Sequence, residues 1–189
     1  DRLKIIKKHI HNNPSYDVIS TNEYMVDKNS KILSNLMYGP IEKNQYQSLL
    51  LYGNRLSPSA TVVRKDFLIK ESILFSESKD LITVEDYDFW LRLSLKKAKF
   101  FFIPSFQGEY LVHETNLSSF MKLHKANLSN LYRDHIFNIQ NFEKDRNLLW
   151  FKIKYSSIFL DELRYLITEK RLNNILNLTS SFIKSPFFI

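Results

Sequence analysis

Between Arg2 and Val112 the apolar residues switch repeatedly between helical and strand spacing, and that alternation limits the chain to an α/β arrangement. Leu3, Ile6 and Ile10 recur at helical intervals until Asn13-Pro14 ends the run, which predicts a helix over 2–12. Asp17 to Thr21 then reads as a strand continued by Tyr24-Met25-Val26, with turn chemistry at 27–31 and a short return strand at Ile32-Leu33. Residues 34–56 are expected to be helix and loop, punctuated by Gly39-Pro40. A short β-branched strand follows at Ala60–Arg64, then a turn or short helix at Asp66–Ile69 and a polar loop from Glu77 to Val84. Glu85 opens a helix to about Lys97, with Tyr87, Trp90, Leu91, Leu95 and Ala98 on one face. Phe100–Ile103 and Glu109–Val112 read as two further strands, and the pattern from Met121 onward is helical, near 121–141, 146–169 and 171–184.

Fifteen Phe and ten Tyr favour sheet-containing packing over a plain helical bundle. The chain has no Cys, which excludes a disulfide framework and thiolate metal sites and is compatible with a reducing compartment. It has three Gly, fewer than a complete α/β enzyme spends on phosphate-cradling turns. It opens on Asp1-Arg2-Leu3-Lys4 without an initiator Met, so it is expected to be part of a longer polypeptide. The net charge of +7 is uneven: residues 1–120 carry 16 Lys and Arg against 14 Asp and Glu, residues 121–189 carry 11 against 6. The basic excess of the last third suits an anionic lipid or polyanionic substrate, and equally a solvated basic face.

Glu85 and Asp86 fall in the first turn of their helix, where unpaired backbone N–H groups and the helix dipole favour negative charge. A carboxylate there stays ionised and faces whatever lies beyond the helix start, which suits a general base acting on a hydroxyl. Helix starts are acidic for purely structural reasons too, and Thr83-x-x-Asp86 resembles a capping box. Asp88 and Arg92, four apart, are expected to form an intrahelical ion pair. Trp90 shares its face with Tyr87 and Leu91 and is expected in the core. His9 and His11, two apart on a helix, make a poor chelate.

The order of segments from Leu3 to Ser119 resembles the second half of the GT-A domain of family 2 glycosyltransferases. Arg2-Leu3 through Pro14 is similar to the helix that follows that family's Asp-x-Asp loop. Val26-Asp27-Lys28-Asn29-Ser30-Lys31-Ile32 is similar to its hairpin, with Ser in place of the usual Gly. Asn54-Arg55-Leu56-Ser57-Pro58-Ser59-Ala60-Thr61-Val62-Val63-Arg64 matches its Asn-to-Arg segment, and Phe75-Ser76-Glu77 its Phe-x-Glu. Glu85–Arg92 matches its Glu-Asp-Tyr-Asp-Leu-Trp-Leu-Arg helix, with Phe89 replacing Leu. Tyr110-Leu111-Val112-His113-Glu114-Thr115-Asn116-Leu117-Ser118 matches its tail.

The resemblance implies an incomplete GT-A (Rossmann-like) mixed sheet with flanking helices over residues 1–120, followed by a C-terminal helical appendage over 121–189. It implies inverting transfer of a sugar from a nucleotide-sugar donor to a hydroxyl of a saccharide or lipid-linked acceptor, as in cell-surface polysaccharide synthesis. Asp86 would be the general base and Glu85 would position the acceptor or support Asp86. Asn116, Ser118 and Arg64 would contact substrate, and His113 would approach a divalent metal, Mg²⁺ or Mn²⁺, or the donor diphosphate. The Asp-x-Asp ligands are expected before Arg2, so residues 1–189 alone should be inactive or nearly so. The family's setting is cytoplasmic, at or near the inner face of the cell membrane.

The competing class is a non-catalytic binding or assembly module that keeps this part of the fold. A nucleic-acid binder has only the basic tail in its favour, since no recognised motif is found. Residues 121–189 lie beyond the resemblance. Trp150-Phe151, Tyr155, Ile158-Phe159-Leu160, Leu163 and Tyr165-Leu166-Ile167, with Phe182-Ile183 and Phe187-Phe188-Ile189 behind them, suit two arrangements. One is an appendage packed on the catalytic domain or on a second subunit; the other is peripheral membrane contact through 146–189.

Overall fold

The structure is a computed structural model that describes residues 2–112, 121–140, 149–168, 170 and 172–183. It is mixed α/β, with a four-stranded mixed sheet and seven α-helices among the described residues. The chain divides into two compact units, Asp1–Met121 and Lys122–Ile189.

In the first unit, α1 (Arg2–Asn12) leads into β1 (Val18–Val26), the strand on which the sheet is built. β4 (Phe100–Leu111) runs parallel to it along one edge. The other edge is shared: β3 (Thr61–Val63) pairs antiparallel with residues 18–20, and β2 (Ile32–Leu36) pairs antiparallel with residues 23–26. A strand paired on both edges needs no water for its backbone, so β1 is buried almost throughout. Ile19 packs with Ile6 of α1 and Ile103 of β4, which fixes α1 against the sheet.

The predicted helix over 2–12 and the 27–31 turn form as read. Asp27 Oδ1 accepts the N–H groups of Asn29 (2.8 Å) and Lys31 (2.9 Å), while Ser30 takes the left-handed conformation (φ 60°) the hairpin needs. β1 is continuous from Val18 to Val26, in line with the reading of 17–21 continued by Tyr24-Met25-Val26, and the side chains of Asn22 and Glu23 both find partners. Phe100–Leu111 is one strand rather than two. Its register against β1 jumps from Thr21↔Ile103 to Asn22↔Phe106 and Glu23↔Gly108, so Pro104, Ser105 and Gln107 are extra residues absorbed in bulges. A proline has no N–H to give a ladder, and a bulge is where a strand tolerates one.

The remaining helices of this unit are α2 (Gln45–Tyr52), α3 (Lys65–Glu71) and α4 (Glu85–Leu95). Asn44 caps α2 by accepting the Gln47 N–H at 3.0 Å. α4 is buried around more of its circumference than one apolar face: Asp88, Phe89, Leu93 and Ser94 are buried along with Tyr87, Trp90 and Leu91. Asp88 tolerates this because Arg92 pairs with it at 2.7 Å, the expected ion pair, while Arg92 also donates to the Leu74 carbonyl at 2.7 Å. Trp90 is in the core, as expected.

The second unit contains α5 (Met121–Arg133), which widens into a π-helical stretch at Asp134–Ile139, then α6 (Leu149–Thr168) and α7 (Leu172–Ile183). Leu131, Ile136, Ile158 and Leu166 are buried. Arg133 pairs with Glu162 at 3.0 Å, Lys154 lies 3.8 Å over the Tyr132 ring, and Phe137 meets Tyr155 edge-on, so α5 with its extension packs on α6. No described helix is long and apolar enough to cross a membrane. Leu149, Ile153, Leu160 and Ile167 of α6, and Leu172, Leu176 and Ile183 of α7, are exposed. The apolar end at Phe187-Phe188-Ile189 lies outside the described residues.

Candidate functional site

α4 begins where a left-handed Thr83 (φ 74°) turns the chain and Val84 serves as its N-cap. Val84, at the N-cap position, has no side chain that makes a capping hydrogen bond. Instead Asp86 Oδ1 accepts the adjoining Tyr87 N–H at 2.7 Å, satisfying one of the unpaired donors of the first turn. That leaves the carboxylate at the mouth of the helix rather than folded back over it.

The second oxygen of Asp86 is held from another element. Asn54 Nδ2 donates to Asp86 Oδ2 at 3.1 Å. Asn54 reaches it because α2 stops at Gly53, whose φ of 93° turns the chain sharply and whose N–H closes on the Leu49 carbonyl at 2.9 Å. The same carbonyl accepts the Tyr87 hydroxyl at 2.6 Å, which pins α4 to the end of α2. Burial pushes the Asp86 carboxyl above the usual aspartate range. The bonds from Tyr87 N–H and Asn54 pull it back, and the Glu85 charge pushes it up again. Glu85 Oε2 is buried with no hydrogen-bond partner.

The loop that carries Asn54 is anchored at its other end by a buried carboxylate that sequence reading missed. Glu23, 1% exposed in the middle of β1, accepts the Tyr38 hydroxyl on Oε2 (2.9 Å) and the Ser59 hydroxyl on Oε1 (2.7 Å). Ser57 and Ser59 share a 2.8 Å hydrogen bond, and Arg2 donates to the Ser59 carbonyl. Gly108, opposite Glu23 in register, leaves the room: a Cβ there would stand 3.2 Å from Glu23 Oε1. Asn22 faces the other way and accepts the Tyr38 N–H at 3.0 Å. Burial, together with the Glu23 charge and hydrogen bond, drives the Tyr38 hydroxyl far above its ordinary pKa, against a lowering bond with Ser57. Tyr38 therefore acts as a neutral donor. The available signal was a Glu inside a β-rich run, which only a buried partner set makes stable.

Arg64 lies beyond β3 from Asn54. Its guanidinium donates to the carbonyls of Pro14 and Tyr16 and pairs with Asp17 at 3.5 Å, so the described contacts tie it to the approach to β1 and do not bring it to Asp86. His113, Asn116 and Ser118 lie outside the described residues. His9 tilts against the Phe101 ring at 5.2 Å. Among the described residues no group of three or more His, Asp or Glu side chains is arranged to hold a metal ion, and Glu23 has both oxygens engaged by hydroxyls.

No model of a known protein family matches the chain, and no curated protein matches it. What the geometry supplies is a half-buried, two-point-anchored carboxylate at a helix start with a second carboxylate beside it. Such a group can take a proton from a hydroxyl brought to that end of α4.

Proposed function

We propose that this chain is the acceptor-side portion of an inverting family 2, GT-A type glycosyltransferase, with Asp86 as its general base. The observation that carries the proposal is Asp86 itself. It is oriented by Tyr87 N–H and Asn54, and burial raises its proton affinity above that of an ordinary aspartate. The ordered resemblance from Leu3 to Ser119 supports the same choice.

In the reaction an acceptor hydroxyl lies against Asp86. Its proton passes to an Asp86 oxygen as its oxygen bonds to the anomeric carbon of the donor. The bond from that carbon to the nucleoside diphosphate breaks with inversion, and the electron pair leaves on the diphosphate. Glu85, beside the base in the first turn of α4, is assigned to orient the acceptor sugar or to support Asp86. The donor grip, including the divalent ion expected in this family, is assigned to an Asp-x-Asp segment preceding Arg2; no described residue is given that task.

The test is Asp86→Asn in the full-length polypeptide, assayed for transfer from nucleotide sugars with Mg²⁺ or Mn²⁺. kcat should fall by at least about 10²-fold with the donor KM little changed. Retained turnover would remove Asp86 from the role. Transfer or hydrolysis by residues 1–189 alone would refute the division of labour between this portion and an upstream donor grip.

A further inference from the structure

We propose that Asn54 is a positioning residue for Asp86, setting the direction of its carboxylate and keeping it available as a base; this rests on the reading of Asp86 given above. Three hydrogen bonds and two peptide links close a ring. Asp86 is followed by Tyr87, whose hydroxyl binds the Leu49 carbonyl (2.6 Å). That carbonyl also takes the Gly53 N–H (2.9 Å), and Gly53 is followed by Asn54, which returns to Asp86 (3.1 Å). The end of α2 and the start of α4 are thus locked together by the residue next to the base. The Asn54 donor has a fixed place relative to it.

The orientation of the Asn54 amide is also determined. Its Oδ1 accepts the Leu56 N–H at 3.1 Å, so its Nδ2 must face Asp86. With Tyr87 N–H on Oδ1 and Asn54 on Oδ2, each carboxylate oxygen carries one donor and keeps lone-pair capacity for a substrate hydroxyl. The plane of the carboxylate is then fixed by two points rather than left to rotate. Asn54 further opposes the two influences that favour the neutral acid, burial and the Glu85 charge. Glu85 is the charged group acting on Asp86 among these; neighbouring Arg55 is placed over the Tyr52 ring, 4.8 Å from its centroid.

The experiment is an NMR titration of the Asp86 side-chain carboxyl in the 189-residue chain, without substrate, for the parent, Asn54→Ala and Asn54→Ser. The Ser variant keeps an acceptor for the Leu56 N–H while removing the amide donor, so it guards against a variant that fails to fold. Both variants should titrate at higher pH than the parent. In the full-length polypeptide the acid limb of the kcat/KM profile should move up by the same amount, so that the rate deficit shrinks as pH rises. An unchanged or lowered midpoint in a folded variant overturns the role of Asn54 and leaves Asp86 as base untouched. Retained turnover in Asp86→Asn would instead overturn the base, whatever the midpoint does.

Discussion

Replacing Glu23 offers a direct measure of how firmly the candidate site is tied to the sheet. The carboxylate is buried and accepts two hydroxyls, from Tyr38 at 2.9 Å and Ser59 at 2.7 Å. Glu23→Ala leaves both hydroxyls without that acceptor, at about 1–3 kcal/mol each, for a total of about 2–6 kcal/mol. Ser59 retains its bond to Ser57, which places the expected loss in the lower half of that range. Glu23→Gln keeps the shape and one carbonyl acceptor, and a hydroxyl can rotate to accept from the new amide, so about 1–2 kcal/mol is expected. At roughly 4 °C per kcal/mol for a unit of this size, the Ala variant melts about 8 °C or more below the parent and the Gln variant less far below. Trp90, buried in α4, reports on the first unit once Trp150 is replaced by Phe, and urea unfolding followed by its fluorescence gives the two differences. If Glu23→Ala costs under about 1 kcal/mol, or if Glu23→Gln costs as much as Glu23→Ala, the carboxylate is not the anchor argued here.

Asp86→Asn should stabilise the first unit slightly at neutral pH, by up to about 1 kcal/mol, since it removes a partly buried charge. The Asp86 carboxyl has a raised folded-state pKa, so its contribution to stability is fully present below the unfolded value and lost as pH rises through the folded one. The advantage of the Asn variant therefore shrinks as pH falls through that range; thermal melts at pH 4 and pH 7 that show a constant difference would contradict it. Arg92→Met deprives the buried Asp88 of its ion pair and should cost roughly 2–4 kcal/mol, with much of the loss recovered when Asp88→Leu is added. Leu91→Ala, at a fully buried position of α4, should cost about 2–5 kcal/mol by urea unfolding. Gly39→Ala should destabilise by about 1 kcal/mol or more, because Gly39 has φ 88° and a Cβ would stand 2.8 Å from the Phe102 ring.

Local patterns determined much of the fold. Helical spacing marked α1 and α4, the Asp27–Lys31 turn announced the hairpin of β1 and β2, and the i, i+4 spacing of Asp88 and Arg92 announced their ion pair. These features depend on neighbours in the chain, so the sequence carries them whole. It also placed Glu85 and Asp86 at a helix start, but not what faces them. Only the tertiary structure brought Asn54 to Asp86 across 32 residues and set Tyr38 and Ser59 on the Glu23 carboxylate. It alone carried β4 as one strand through Pro104, Ser105 and Gln107, because the bulges that absorb them form against β1. The partners that hold Asn22 and Glu23 inside β1 likewise sit on separate segments. Carboxylate chemistry is set by burial and by hydrogen bonds from distant residues. The identity of the candidate base was therefore legible in the sequence, while its orientation and proton affinity were decided by packing.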